Sequence, residues 1–217
     1  MKIALNMKLL PKMNEVLLKA NTPNAIIEYS CKMSFVKTSY LDQFKNKQYF
    51  DELCKEGCPN YGKKWSCPPY APDYSHFVKK YKYIYVFLLY TDLAQFDYIR
   101  QNYLKVKAAN SILKSRIDKA LRESINQNEF YISTGSCRLC KSCKKKIGEF
   151  CIHPELRTYS FEALGINVSL LTSNLFQKDL LWYKQKVLPK YTSVVSGLLT
   201  NDDIITTKIV DRLEELR

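Results

Sequence analysis

The run Ile84-Tyr-Val-Phe-Leu-Leu89 constrains the fold most. It is apolar at every position, so it has no face to give to water. A strand of this kind lies inside a sheet that is covered on both sides. Downstream, Phe96, Ile99, Tyr103, Val106, Leu113, Ile117, Leu121 and Ile125 recur in helical steps, with one double step across Asn110 and no Pro or Gly between them. This pattern predicts one long helix from Asp92 to about Ile125, roughly 50 Å in length. Thr91 or Asp92 would cap its start. Its apolar stripe would lie across the sheet, with lysines and arginines facing water.

The remaining elements are shorter. Leu9, Met13, Val16, Leu17 and Ala20 suggest a helix within residues 1–22, with Pro11 near its start or a break. Ala25–Tyr29, Glu129–Thr134, residues 166–171 and Thr192–Leu199 read as strands. Residues 40–53, 74–81, 158–164 and 174–186 read as helices, the third stopped by Gly165. A last helix starts at Asn201 or Asp202 and turns Ile205, Ile209, Leu213 and Leu216 inward. Hydrophobic residues make up 46% of the 217, enough for one sizeable core. The expected fold is α/β (α+β), a single domain over residues 1–217. A mixed sheet is packed by helices, one of them long, and two cysteine-rich metal-binding loops lie at its edges.

Seven of the eight cysteines fall into two groups, which form those loops (residues 54–73 and 135–157). Clustered cysteines without a recognisable signal peptide read as metal ligands in a reducing, cytoplasmic setting rather than as disulfides. Cys137, Cys140 and Cys143 follow a Cys-x2-Cys-x2-Cys spacing, and Cys151 and Pro154 come soon after. That short arc suits three corners of a [4Fe–4S] cube, with Cys151 as the fourth ligand. Zinc is the alternative. His153 is a substitute ligand or a bystander. Arg138, Lys141, Lys144, Lys145 and Lys146 are interleaved with these cysteines. They would favour the reduced cluster and offer a dock to an acidic redox partner, or they are a solvated basic loop.

Cys54, Cys58 and Cys67 form the other group. Two Gly and four Pro within residues 54–73 forbid long regular structure there, and three thiolates on one centre would order the loop. Three thiolates can hold a cube with one iron open to substrate. Cys31, His76 or Asp73 could instead complete the shell, or the site is zinc. Trp65, Tyr61 and Tyr70 would shield it. Cys31 otherwise reads as a small buried residue.

The segment Cys54-x3-Cys58-Pro-x-Tyr-Gly-x2-Trp-Ser-Cys67-Pro-Pro resembles the first signature of an uncharacterised family of predicted metal-binding proteins, domain of unknown function 2284. Cys137, Cys140, Cys143, Cys151, Pro154, Arg157, Ser160, Glu162-Ala163 and Gly165-Ile-Asn-Val resemble its second signature. The likeness runs from about residue 54 to 171. One departure is Phe150, which stands where the family places Pro before the fourth Cys. The resemblance implies metal binding, of iron–sulfur type, and brings no known reaction.

The net charge of +13 points to anionic partners, or it is a lysine-rich solvated surface, since the lysines are spread along the whole chain. With six Gly there is no Gly-rich phosphate loop, and having two His argues against a Ser-His-Asp or paired-His metal site. Arg157 and Glu162 could ion-pair or bind a carboxylate. The functional expectation is a protein with two [4Fe–4S] clusters. It would act in electron transfer or in reductive chemistry at a three-cysteine cluster, as an iron–sulfur-dependent oxidoreductase. Its partners would be an acidic redox protein or a small anionic substrate, with no membrane. The alternative is a zinc-stabilised basic module that binds nucleic acid or an acidic protein without redox activity.

Overall fold

The computed structural model describes residues 14–202 and 206–216. Five strands form one sheet: β1 (Asn14–Asn21), β2 (Ile26–Lys37), β3 (Tyr83–Asp92), β4 (Phe130–Ile132) and β5 (Tyr191–Thr200). Their order is β1-β2-β3-β5-β4, and every neighbouring pair is antiparallel. The sheet is therefore not mixed. A lone parallel bridge, Ile132 to Tyr159, extends β4.

The apolar strand β3 sits in the middle, as its composition requires. Ile84, Val86 and Leu88 point to one face and Tyr85, Phe87 and Leu89 to the other. Helices α3 (Asn102–Ser124) and α5 (Thr206–Glu215) cover the second face through Leu113, Ile117, Leu121, Ile209 and Leu213. The first face is covered by α2 (Ser75–Val78), α4 (Val168–Phe176) and the segment from Tyr159 to Ile166. Helix α1 (Lys47–Gly57) lies outside the core and buries no residue.

Several expected elements differ. The helical pattern within residues 1–22 belongs from Asn14 onward to β1, and its earlier part lies outside the described residues. Leu18 and Ala20 are buried while Leu17 is exposed, which is the two-residue period of a strand. Residues 166–171 are not a strand. The Asn167 side chain accepts the Leu170 amide at 3.0 Å and starts α4 instead. The helix expected over 174–186 ends at Phe176, where Gln177 turns left-handed. The long helix is shorter than its apolar pattern. Asp92 caps a 3-10 turn at Leu93–Phe96, and α3 starts at Asn102. Among the described residues no helix is long and apolar enough to cross a membrane.

Candidate functional site

The two cysteine loops fold against each other. Cys54 occupies the last turn of α1, and Cys58 caps that helix with its amide on the Cys54 carbonyl at 3.0 Å. Tight turns then bring Cys67 inside, with its amide on the Lys64 carbonyl at 3.1 Å. In the other loop, a 3-10 turn over Lys144–Ile147 follows Cys143 and ends at Gly148, whose φ is 78°. Hydrogen bonds and ring contacts join the loops. The Trp65 indole N–H donates to the Glu149 carbonyl at 2.9 Å. The Cys137 amide donates to Ser66 Oγ at 3.1 Å. Lys64 Nζ donates to Ser136 Oγ at 3.0 Å and to the Cys137 carbonyl at 3.2 Å. Lys145 Nζ stacks on the rings of Trp65 and Tyr70.

All eight cysteines are free. Cys137, Cys140, Cys143 and Cys151 line one small cavity together with Trp65, Ser66, His153 and Arg157. Its volume is about 20 Å³, room on the order of one water molecule rather than an eight-atom cube. Among the described residues, no three His, Cys, Asp or Glu side chains group so as to hold a metal ion. This overturns the expected pair of [4Fe–4S] clusters, the zinc alternative, and with them the reading of the loops as metal-binding. The electron-transfer role and the iron–sulfur-dependent oxidoreductase fall for the same reason. Hydrogen bonds and ring contacts tie the two loops to each other. Burial pushes the Cys54 thiol up to about 11, and the negative neighbours Cys58, Cys67, Glu162 and Asp51 act the same way. Burial also raises Cys67, with Ser66 and Lys64 opposing it.

The residues considered as extra ligands have other roles. Cys31 is buried in β2, and burial pushes its thiol to about 12. His76 packs its edge on Phe77. Asp73 accepts from the Ser75 amide at 2.8 Å and pairs with Lys45 at 3.3 Å. Arg157 Nε donates to the Tyr159 hydroxyl at 2.8 Å, and the ion pairs among the described residues do not include Arg157 with Glu162. Tyr61 lines a separate groove beside α1.

Replacing Trp65 with Phe keeps a ring under Lys145 and removes the bond to Glu149. One hydrogen bond of this kind is worth about 1 kcal/mol net. Amide exchange at Lys146, Gly148 and Glu149 should accelerate roughly fivefold, with the sheet amides unchanged. Unchanged exchange at these three amides would show that the indole contact does not hold the loop.

Beside the thiol cavity lies a second one of about 370 Å³, which no cysteine lines. One wall is a face of α3, where Ser111, Ser115, Asp118, Lys119 and Arg122 recur at three- and four-residue steps. This face turns away from the Leu113, Ile117 and Leu121 stripe that packs on the sheet. The opposite wall is the chain leaving β4, from Ser133 to Ser136 and Arg138, and Thr158 closes the side. No apolar side chain lines it. Arg122 donates through Nε to Asp118 Oδ2 at 3.1 Å, while Arg138 and Lys119 have no ion-pair partner among the described residues. Neighbouring Lys114 is held below the usual lysine range, by burial first and then by the positive Arg138. Sequence reading missed this cavity. Its one legible trace was Ser and cationic residues sharing a face of α3.

A family model described as predicted metal-binding protein, domain of unknown function 2284, matches residues 41–200. The chain belongs to this family. No curated protein and no solved structure matched the chain. The match covers both cysteine loops, α3 and the polar cavity, and it leaves out β1, β2 and α5. The metal in the family's description finds no convergent donor set among this member's described residues.

Proposed function

We propose that the protein binds a small anionic ligand in the polar cavity between α3 and the segment from Ser133 to Arg138. The observation that carries this reading is the lining itself: three cations against one carboxylate, with hydroxyls and no apolar side chain. Its volume of about 370 Å³ falls within the range of small-ligand pockets. The amides of Thr134, Gly135 and Ser136 meet no protein acceptor among the described residues. Consecutive free amides beside cationic side chains favour negative charge. The net charge of +13 would steer anions toward the molecule as a whole. Eight unbridged cysteines are consistent with a reducing, cytoplasmic setting.

The test is thermal melting at low, constant ionic strength with millimolar sulfate, phosphate or malonate, with chloride as the control. At least one of these anions should raise the melting temperature above the chloride control. Arg138→Ala, at an exposed position, should reduce that rise while leaving the melt in chloride alone unchanged. A rise that is identical in Arg138→Ala, or no rise with any anion, would sink the reading.

A further inference from the structure

We infer that the ligand is a phosphate monoester of a small hydroxylated molecule, with its phosphoryl group held by Arg138, Lys119, Ser136 and Thr158. This rests on the anion reading above and goes beyond it in naming the class. Hydroxyl direction is the first argument. Ser136 Oγ already accepts from Lys64 Nζ at 3.0 Å, and Thr158 Oγ1 accepts from Arg122 at 3.5 Å. Each hydroxyl therefore keeps its own proton free to donate to an anion.

Charge is the second argument. Arg122, Lys119 and Arg138 carry three positive charges and Asp118 one negative, so the lining is +2. A phosphate monoester carries about −1.5 to −2 near neutral pH and has three terminal oxygens. A simple carboxylate offers two oxygens in one plane and a single charge. The donors here come from three directions: α3, the chain leaving β4, and Thr158. That spread suits a tetrahedral group better than a planar one.

The rest of the cavity describes the body of the ligand. No aromatic side chain lines it, so a nucleobase would find no ring to stack on. Ser111, Ser115 and the carboxylate of Asp118 remain to pair with hydroxyl groups. A polyol or sugar carrying one phosphate matches both ends of the site.

Isothermal titration calorimetry of the full chain with glycerol 3-phosphate, inorganic phosphate and malonate tests this. Glycerol 3-phosphate should bind at least tenfold more tightly than malonate, and Lys119→Ala/Arg138→Ala should weaken it tenfold or more. Both residues are exposed, and an unchanged circular dichroism melt without ligand would show that the variant is folded. Should the double variant fail to fold, Ser136→Ala, which removes one donor, is expected to weaken binding severalfold. If malonate binds as tightly as the phosphate ester, the phosphate assignment fails and the anion reading stands. If none of the three binds, both fail. Binding of glycerol 3-phosphate that none of these substitutions alters would place it elsewhere and overturn the assignment.

Discussion

Phe161→Ala is expected to destabilise the protein by about 3–5 kcal/mol, the usual cost of emptying a large buried aromatic site. Phe161 is 1% exposed and lies in the core beneath the first face of the sheet. It packs there because β5 carries Gly197 opposite it. A Cβ built on Gly197 would stand 2.8 Å from the tip of the Phe161 ring and 3.2 Å from Ile84 Cδ1. Gly197 is paired on both sides, with Val86 of β3 and Ile132 of β4, so the backbone has little room to yield. Gly197→Ala should therefore cost about 1–3 kcal/mol as an overpacked site. The two positions share one space. Gly197→Ala combined with Phe161→Leu should cost less than the sum of the single changes by about 1 kcal/mol or more. Urea unfolding of the three variants reads this directly, provided the slope with denaturant stays constant. Strict additivity would mean that the ring and the glycine do not share the site.

Gly165→Ala should cost about 3 kcal/mol, from two sources. The residue has a φ of 88°, a left-handed conformation that costs a side-chain-bearing residue roughly 1–2 kcal/mol. The added Cβ would also meet the Lys47 Cα at 2.6 Å and its Cβ at 2.8 Å, which adds overpacking against backbone. Backbone bonds hold the approach in place. The Asn46 amide donates to the Gly165 carbonyl at 2.7 Å and the Asn167 amide to the Phe44 carbonyl at 2.9 Å. Trimming Lys47 cannot relieve the clash, because its Cα is the nearest atom. Gly148→Ala is the matched control. Its φ is 78°, with nothing within 4 Å of the new Cβ, so only the conformational cost of about 1–2 kcal/mol remains. Equal losses for the two variants in chemical denaturation would show that the contact with Lys47 adds nothing.

The Gly165 contact also marks where sequence reading stopped. Gly165 was legible as a helix stop, and it does end a 3-10 turn at Leu164. That the same residue presses on α1 depends on chain segments more than a hundred residues apart. The cysteine loops show the opposite error. Spacing identified the loops, and Cys137, Cys140, Cys143 and Cys151 do line one cavity. Spacing carries no information on how far apart packing holds the thiols. Among the described residues no three of the donors converge on one point. The sequence holds no Gly-rich phosphate loop. The polar cavity instead draws its donors from α3, the exit of β4 and Thr158, with no continuous motif to read.

By itself, the sequence determined that β3 is interior. Six consecutive apolar residues cannot face water, so helices had to cover both sides of the sheet. It also determined the stripe of α3 that packs on the sheet, because Leu113, Ile117 and Leu121 share one face at helical spacing. Only the tertiary structure decided the strand order and the antiparallel pairing. Short apolar runs such as residues 166–171 suit a helix or a strand equally until a cap like Asn167 and the space beside the sheet select one. It likewise decided the candidate site. Arg138, Ser136, Thr158 and Lys119 are chemically unremarkable along the chain, and they become a site only where the exit of β4 passes the polar face of α3.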